Sequence, residues 1–242
     1  VKTGYGAGVY GAHTYGTPRP DLGVYTEATV WTLDTWGEFL VGVSSKDGRL
    51  VQWTGNGATP AAPLAGAPTG CRSLIVSEER FLFALGAGGN PRRVQWSDFQ
   101  NNTSWVPTAL NQAGDEELQT PGQLMQGARV AGVVLLVTDV DAHVARFVGY
   151  PAVYQFERIG TGCGAISQQA VAVIDQFAVW MGRDGFPPLR RADAAAGLRG
   201  GDFVFGRMND QQRSKVSAFT LSTHSEVWWL YPSGAATRST AM

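Results

Sequence analysis

Charge is scarce in this chain. Asp, Glu, Lys and Arg make up 16% of its 242 residues, against about 25% in an ordinary globular domain. The 19 basic and 20 acidic side chains leave a formal net charge of −1. That excludes the strongly basic surface typical of domains that grip nucleic acid or anionic membrane. Lysine is rarer still, with 3 residues against 16 arginines. Arginine suits planar, desolvated contacts, but a biased gene composition yields the same ratio, and the two explanations stand level. Cysteine is limited to Cys71 and Cys163, which excludes a disulfide framework or a four-ligand cysteine zinc site. Two buried, reduced thiols are expected, with a single disulfide as the other reading. Long apolar runs are missing: the longest, such as Val130–Val137, is broken by Gly132 and falls short of the ~20 residues of a membrane helix. No membrane partner is expected.

Catalytic and metal-binding motifs are equally sparse. The three histidines, His13, His143 and His224, stand in no HExxH and beside no cysteine pair, so a zinc site would need scattered ligands. His143 and His224 are expected in exposed hairpin turns. Asp139 and Asp141 open like a calcium loop, but no Gly and distal Glu follow at the required spacing. GAGGNP at residues 86–91 lacks the lysine of a phosphate loop, and no GxSxG occurs. No catalytic residue, metal or cofactor is expected, and the chain is read as a non-enzyme.

What is abundant is glycine, 31 residues or about 13% against a usual ~7%, together with 8 tryptophans. Apolar residues come in runs of four to eight between Gly, Pro, Asn and Asp, the pattern of short strands and tight turns. The best helical candidate is the polar decamer 206–215. Five times an apolar strand meets a polar turn and a second strand, as in GEFLVGVSS-KDG-RLVQWT and KVSAFTLS-THS-EVWWLYP. The turn positions Asp47, Asn90, Asp141, Asp184 and Ser225 lie 43, 51, 43 and 41 residues apart. A period of ~40–50 residues is the signature of a β-propeller, whose blades hide their faces by stacking on one another. The expectation is an all-β propeller of five or six blades over residues 31–242, with a β-sandwich as the alternative. Residues of about 98–122 read as an inserted loop. Trp53, Trp96, Phe147 and Trp228 follow the turns, where large rings can wedge between blades.

Residues 1–30 form a Gly/Tyr-rich arm with Tyr5, Tyr10 and Tyr15 at five-residue intervals. Tyrosines supply rigid contact area, so this arm is expected to lie on a neighbouring surface, with a disordered tail or a loop packed on its own domain as the alternative. Val1 is not an initiator Met, and the chain is read as processed or cut from a longer one. Arg92, Arg93 and Trp105 complete the candidate interface residues. The acidic run Asp115, Glu116 and Glu117, with exposed tryptophans such as Trp105, carries the competing reading: a propeller that binds or cleaves host-surface glycans. Glycan cleavage needs two carboxyls opposed across a cleft.

Several segments resemble the tubular or nozzle tail proteins of short-tailed bacteriophages. They are NPRRVQWSDFQNNTSW (90–105), NQAGDEELQT (111–120), RFVGYPAVYQFERIGTGCGAIS (146–167), AVWMGRDGF (178–186), DFVFGRMNDQQRSKV (202–216) and EVWWLYPS (226–233). The resemblance implies a virion structural protein with no catalytic residues. It would form a ring with other copies of itself, meet other tail or portal-adaptor proteins, and surround a channel through which genomic DNA passes without specific binding. Tail fibres are a further partner implied on the outside. Two departures stand out. FPPLRR replaces the aromatic hairpin expected after WMG, and the chain stops soon after WWLYPS. The propeller is therefore expected to be incomplete, or finished either by residues 1–35 or by a missing segment.

Overall fold

The computed structural model describes residues 29–183, 185–189, 201–234 and 239–241. These residues form five antiparallel sheets, each built from strands consecutive in the chain. Blade I holds β1 (Trp31–Trp36), β2 (Phe39–Ser44), β3 (Leu50–Trp53) and β4 (Ala62–Pro63). Blade II holds β5 (Ser73–Val76), β6 (Leu82–Leu85), β7 (Arg93–Trp96) and β8 (Gly114–Glu117). Blade III holds β9 (Leu124–Val130), β10 (Val133–Thr138), β11 (Asp141–Gly149) and β12 (Val153–Thr161). Blade IV has β13 (Val171–Ile174), β14 (Phe177–Trp180) and β15 (Pro188–Leu189), and blade V has β16 (Ser217–Leu221), β17 (Glu226–Pro232) and β18 (Ser239–Ala241). The first strand of each blade packs on the first strand of the next, from β1 through β5, β9 and β13 to β16. These strands surround a common axis. The fold is an all-β propeller, with five blades among the described residues.

Burial follows from the stacking. Ser73–Val76 and Leu82–Leu85 are buried at every position, as strands covered on both faces must be. Three cores fill the blade junctions. Between blades I and II, Val41, Val43, Leu74 and Leu82 pack together. Between II and III, the Tyr154 ring is met by Phe81, Phe83 and Trp96 at centroid distances of 5.3, 4.8 and 5.7 Å. A third core joins blades III, IV and V around Trp180, Phe186 and Trp229. Inner strands approach closely: a Cβ at Gly127 on β9 would sit 2.8 Å from Ile75 Cγ2 on β5. Only glycine lets blade III close onto blade II there.

Several sequence expectations are corrected. The 98–122 segment is not wholly an insertion, because Gly114–Glu117 is the outermost strand of blade II. Asp141 is not at a turn: β11 begins there, and the turn is Asp139–Val140. His143 accordingly lies inside β11 and is buried, whereas His224 is exposed in the β16–β17 turn. Only the second part of the 206–215 decamer is helical, a 3-10 turn at Asp210–Lys215 where the Asn209 side chain accepts from the Gln211 N–H at 3.2 Å; a short helix α1, Gly201–Phe205, precedes the decamer. Both cysteines are free; Cys71 is buried and Cys163 half-buried. No described helix is long and apolar enough to cross a membrane.

Candidate functional site

At one end of the propeller axis, residues next to the inner strands converge on a cleft of about 600 Å³. The sheets dictate the convergence, since each blade presents the start of its first strand or the turn after its second. Blade I contributes Ser45 and Lys46, just beyond β2; blade II contributes Arg72, just before β5. Gln123 precedes β9 and Asp139 follows β10, while Arg183 follows β14 and Arg213 precedes β16. Four cations therefore face one carboxylate among the described lining residues. Arg72 is held in place by donating through Nη1 to Gln123 Oε1. The Asp139 carboxylate is engaged in turn, accepting from the Gln123 N–H at 2.8 Å. Arg213 makes only a loose 3.7 Å approach to Asp210, whose side chain is 81% exposed. Gln168, 8% exposed, also borders the cleft, and its Nε2 has no hydrogen-bond partner among the described residues.

A second feature lies at the ends of the blade series. On β1, Thr32 and Asp34 face blade II, where Thr32 Oγ1 lies 3.5 Å from Ser73 Oγ and Asp34 Oδ2 accepts from the Val76 N–H at 2.9 Å. Alternation turns Trp31 and Leu33 to the opposite face, and they remain 51% and 56% exposed. They lie over Gly42, and Leu40, Val51 and Trp53 share that face through the strand register. Blade V mirrors this. Thr220 Oγ1 donates to the Val173 carbonyl of blade IV at 2.8 Å, so Phe219 points away and stacks on Trp228 at 6.3 Å between centroids. Near the axis the two ends are tied, because Gln169 Nε2 donates to the Trp31 carbonyl at 3.1 Å while the Gln169 carbonyl accepts from the Ala218 N–H at 2.6 Å. Away from the axis, both end faces are left without a neighbouring blade among the described residues.

The interface residues named from sequence fall elsewhere. Tyr5, Tyr10 and Tyr15 lie outside the described residues. Arg92 pairs with Glu117, and Arg93 with Asp115 at 3.0 Å, both at the outer edge of blade II. Trp105 is not an exposed contact: it is 2% exposed, its Nε1 donates to the Asn102 carbonyl at 2.7 Å, and it fills the core between blades I and II. Asp115, Glu116 and Glu117 are exposed on the outermost strand β8 rather than opposed across a cleft. Sequence reasoning missed the four axial cations because they are spread over all but one of the blades and form no local motif.

The buried polar centre of blade III has a different character. Asp141 Oδ1 accepts from Thr120 Oγ1 at 2.8 Å and Thr138 Oγ1 at 2.5 Å, and lies 3.2 Å from His143 Nε2. Burial holds the His143 pKa below its ordinary value; Asp141 partly opposes this, and Arg158 adds to the lowering. This cluster fixes the β10–β11 turn. No group of three or more His, Cys, Asp or Glu side chains among the described residues could hold a metal ion.

No family model and no curated protein matches the chain. Solved structures do. Virginiamycin B lyase from Staphylococcus aureus superposes with a TM-score of 0.55 at 6% identity, over 90% of this chain and 70% of that one. A catalytically inactive form of that lyase with quinupristin gives 0.55 at 6% identity, over 89% and 70%. A streptogramin B lyase structure gives 0.53 at 7% identity, over 89% and 68%. This chain is similar to those proteins in propeller fold, and at such identity the likeness extends no further.

Proposed function

We propose that the protein is a non-enzymatic structural subunit of a phage tail, part of a nozzle or neck-proximal ring around the DNA exit channel. Its partners are other copies of itself and adjoining tail or portal-adaptor proteins, with fibres seated outside. One observation carries the reading: the two end faces are apolar yet exposed at their centres, Trp31 and Leu33 to 51% and 56%, Phe219 and Trp228 to 42% and 36%. Apolar sheet faces of this kind mark protein-interaction surfaces, and two different ones on a single chain allow head-to-tail contacts that close into rings. The tail-protein resemblance of segments 90–105, 146–167 and 226–233 supplies the setting.

The test has two parts. Imaging of the parent particle should locate this chain in the tail; density in the head shell, or none in the particle, overturns the role. In solution, Leu33→Asp and Phe219→Asp should each abolish assembly, measured by light scattering, while the circular dichroism melt of the subunit stays within a few degrees. Assembly unaffected by both substitutions would refute the use of these faces.

A further inference from the structure

The axial cleft is chemically distinct from the apolar end faces and does a different job. Lys46, Arg72, Arg183 and Arg213 come from four different blades onto one cleft of about 600 Å³, within the ~300–1,000 Å³ range of small-molecule sites. The single carboxylate among the described lining residues, Asp139, is already engaged by the Gln123 N–H. Arg72 is oriented by Gln123 through one nitrogen only, and a guanidinium carries five N–H donors in a planar fork. Such a fork matches carboxylate and phosphate oxygens in pairs.

An independent observation points the same way. Gln168 is more than nine-tenths buried, yet its Nε2 donates to nothing among the described residues. A buried N–H left unpaired is costly, and native proteins satisfy such groups with a partner. Here the missing partner is a hydrogen-bond acceptor. Donors without acceptors, in a cleft with surplus positive charge, are what an oxyanion completes.

We propose that the axial cleft is a binding site for a compact oxyanion bearing at least two negative charges, of the phosphate or polycarboxylate class. Its oxygens pair with Arg72 and Arg213 and accept from Gln168 Nε2, while Lys46 and Arg183 close the mouth electrostatically. Because the lining comes from all five blades, the bound anion ties blade V to blade I where the ring is open.

The experiment is titration calorimetry on the full chain with inorganic pyrophosphate and, separately, citrate, at low and at physiological salt. Saturable one-to-one binding is expected, weakening with salt as exposed charges are screened. The double variant Lys46→Gln/Arg213→Gln should lose at least tenfold in affinity, and Gln168→Leu several-fold. Arg158→Gln, on the outer strand of blade III, should leave affinity unchanged. Pyrophosphate should also raise the melting temperature of the wild type but not of the double variant, by mass action on the folded state; this readout shows whether each variant is folded. The proposal is overturned if neither anion saturates the protein. Loss of affinity in Arg158→Gln equal to that of the double variant would also overturn it, as would an oligo-aspartate peptide that binds more tightly than both anions.

Discussion

Asp34 is the residue whose removal tests most directly how the blades are held in sequence. It sits on the inner strand of blade I, and its carboxylate reaches two other blades. Oδ2 accepts from the Val76 N–H of blade II at 2.9 Å, and Oδ1 accepts from Arg129 Nη2 of blade III at 3.0 Å. Arg129 Nη1 donates in turn to the Val76 carbonyl at 3.0 Å. The Asp34 side chain is 9% exposed and that of Arg129 39%, so the two contacts carry different weights. The hydrogen bond from a buried backbone N–H to a charged acceptor contributes about 1.5–3 kcal/mol. The arginine pair, open to solvent and screened, adds about 0.5–1 kcal/mol. Asp34→Ala should therefore cost about 2–4 kcal/mol and, at roughly 2–4 °C per kcal/mol for a chain this size, lower the melting temperature by roughly 4–16 °C. Asp34→Asn keeps an acceptor for Val76 and should cost about half as much. Arg129→Met should cost about 1 kcal/mol, and its effect should shrink in the Asp34→Ala background because the two side chains share one network. Urea and thermal melts of the wild type, the three single variants and the double variant measure all of this. An Asp34→Ala protein that melts within 2 °C of the wild type would refute the claim that this carboxylate clamps three inner strands.

Other expectations follow from equally local geometry. A Cβ at Gly164 would lie 2.1 Å from the Asp139 carbonyl carbon and 2.2 Å from Val140 N; Gly164→Ala should cost about 3 kcal/mol or more by displacing the β10–β11 turn, visible as lost soluble yield or a lowered melt. The His143 pKa is depressed by burial, so below about pH 6.5 the unfolded chain binds a proton that the folded chain refuses. Stability should be level above that pH and fall as pH drops through it, at no more than about 1.4 kcal/mol per pH unit, until folded His143 titrates; His143→Gln should remove this slope in urea melts. Tyr154 donates through its hydroxyl to Ser77 Oγ, 2.9 Å away, so Tyr154→Phe should cost about 1 kcal/mol and Tyr154→Ala about 3–5 kcal/mol. Burial pushes the Cys71 thiol up to about 12 and raises that of Cys163 as well. Neither should react promptly with a disulfide reagent near neutral pH, and half-buried Cys163 should label first as denaturant is added.

The hairpin repeat was readable because each blade places an apolar strand on both sides of a polar turn, and this repeats wherever the second and third strands of blades I to IV meet. The fifth hairpin was counted as equivalent, but it joins β16 and β17, the first and second strands of blade V. It is one strand out of phase, and the 41-residue interval hides this because the described part of the connection from blade IV carries α1 and a 3-10 turn before β16 begins. Strand β8 escaped notice because GDEE is short and polar: it is the outer edge of a sheet and needs no apolar alternation. Trp105 looked exposed inside a polar loop, yet that loop folds back and inserts the ring beside Trp36 and Leu50. The axial cations were harder to find, since residues 46, 72, 183 and 213 become neighbours only through the circular arrangement of the blades. One signal was available. Arg72 and Gln123 each immediately precede an inner strand, and aligning strand starts would have shown that polar donors gather there.

The end faces can be read more sharply than exposure alone allows. A strand with one face meant for water alternates apolar and polar residues. Strands β16 and β17 do not. Ala218, Trp229 and Tyr231 occupy the face toward blade IV, and Phe219, Leu221, Trp228 and Leu230 occupy the other. Both faces are apolar, as in β5 and β10, which are covered on both sides. In blade I the outward face carries Trp31 and Leu33, while the face toward blade II carries Trp36, Val41 and Val43 beside the polar Thr32 and Asp34. Covering one such side chain contributes about 1.5–3 kcal/mol, so two faces that are uncovered among the described residues forgo several such increments that the residue pattern is suited to supply. A chain that worked alone would gain solubility from polar residues at these positions at no cost to its core, since Leu33 and Phe219 contribute to no core cluster among the described residues. The proposed ring contact would account for their apolar character, and substituting them tests for that contact without disturbing the interior.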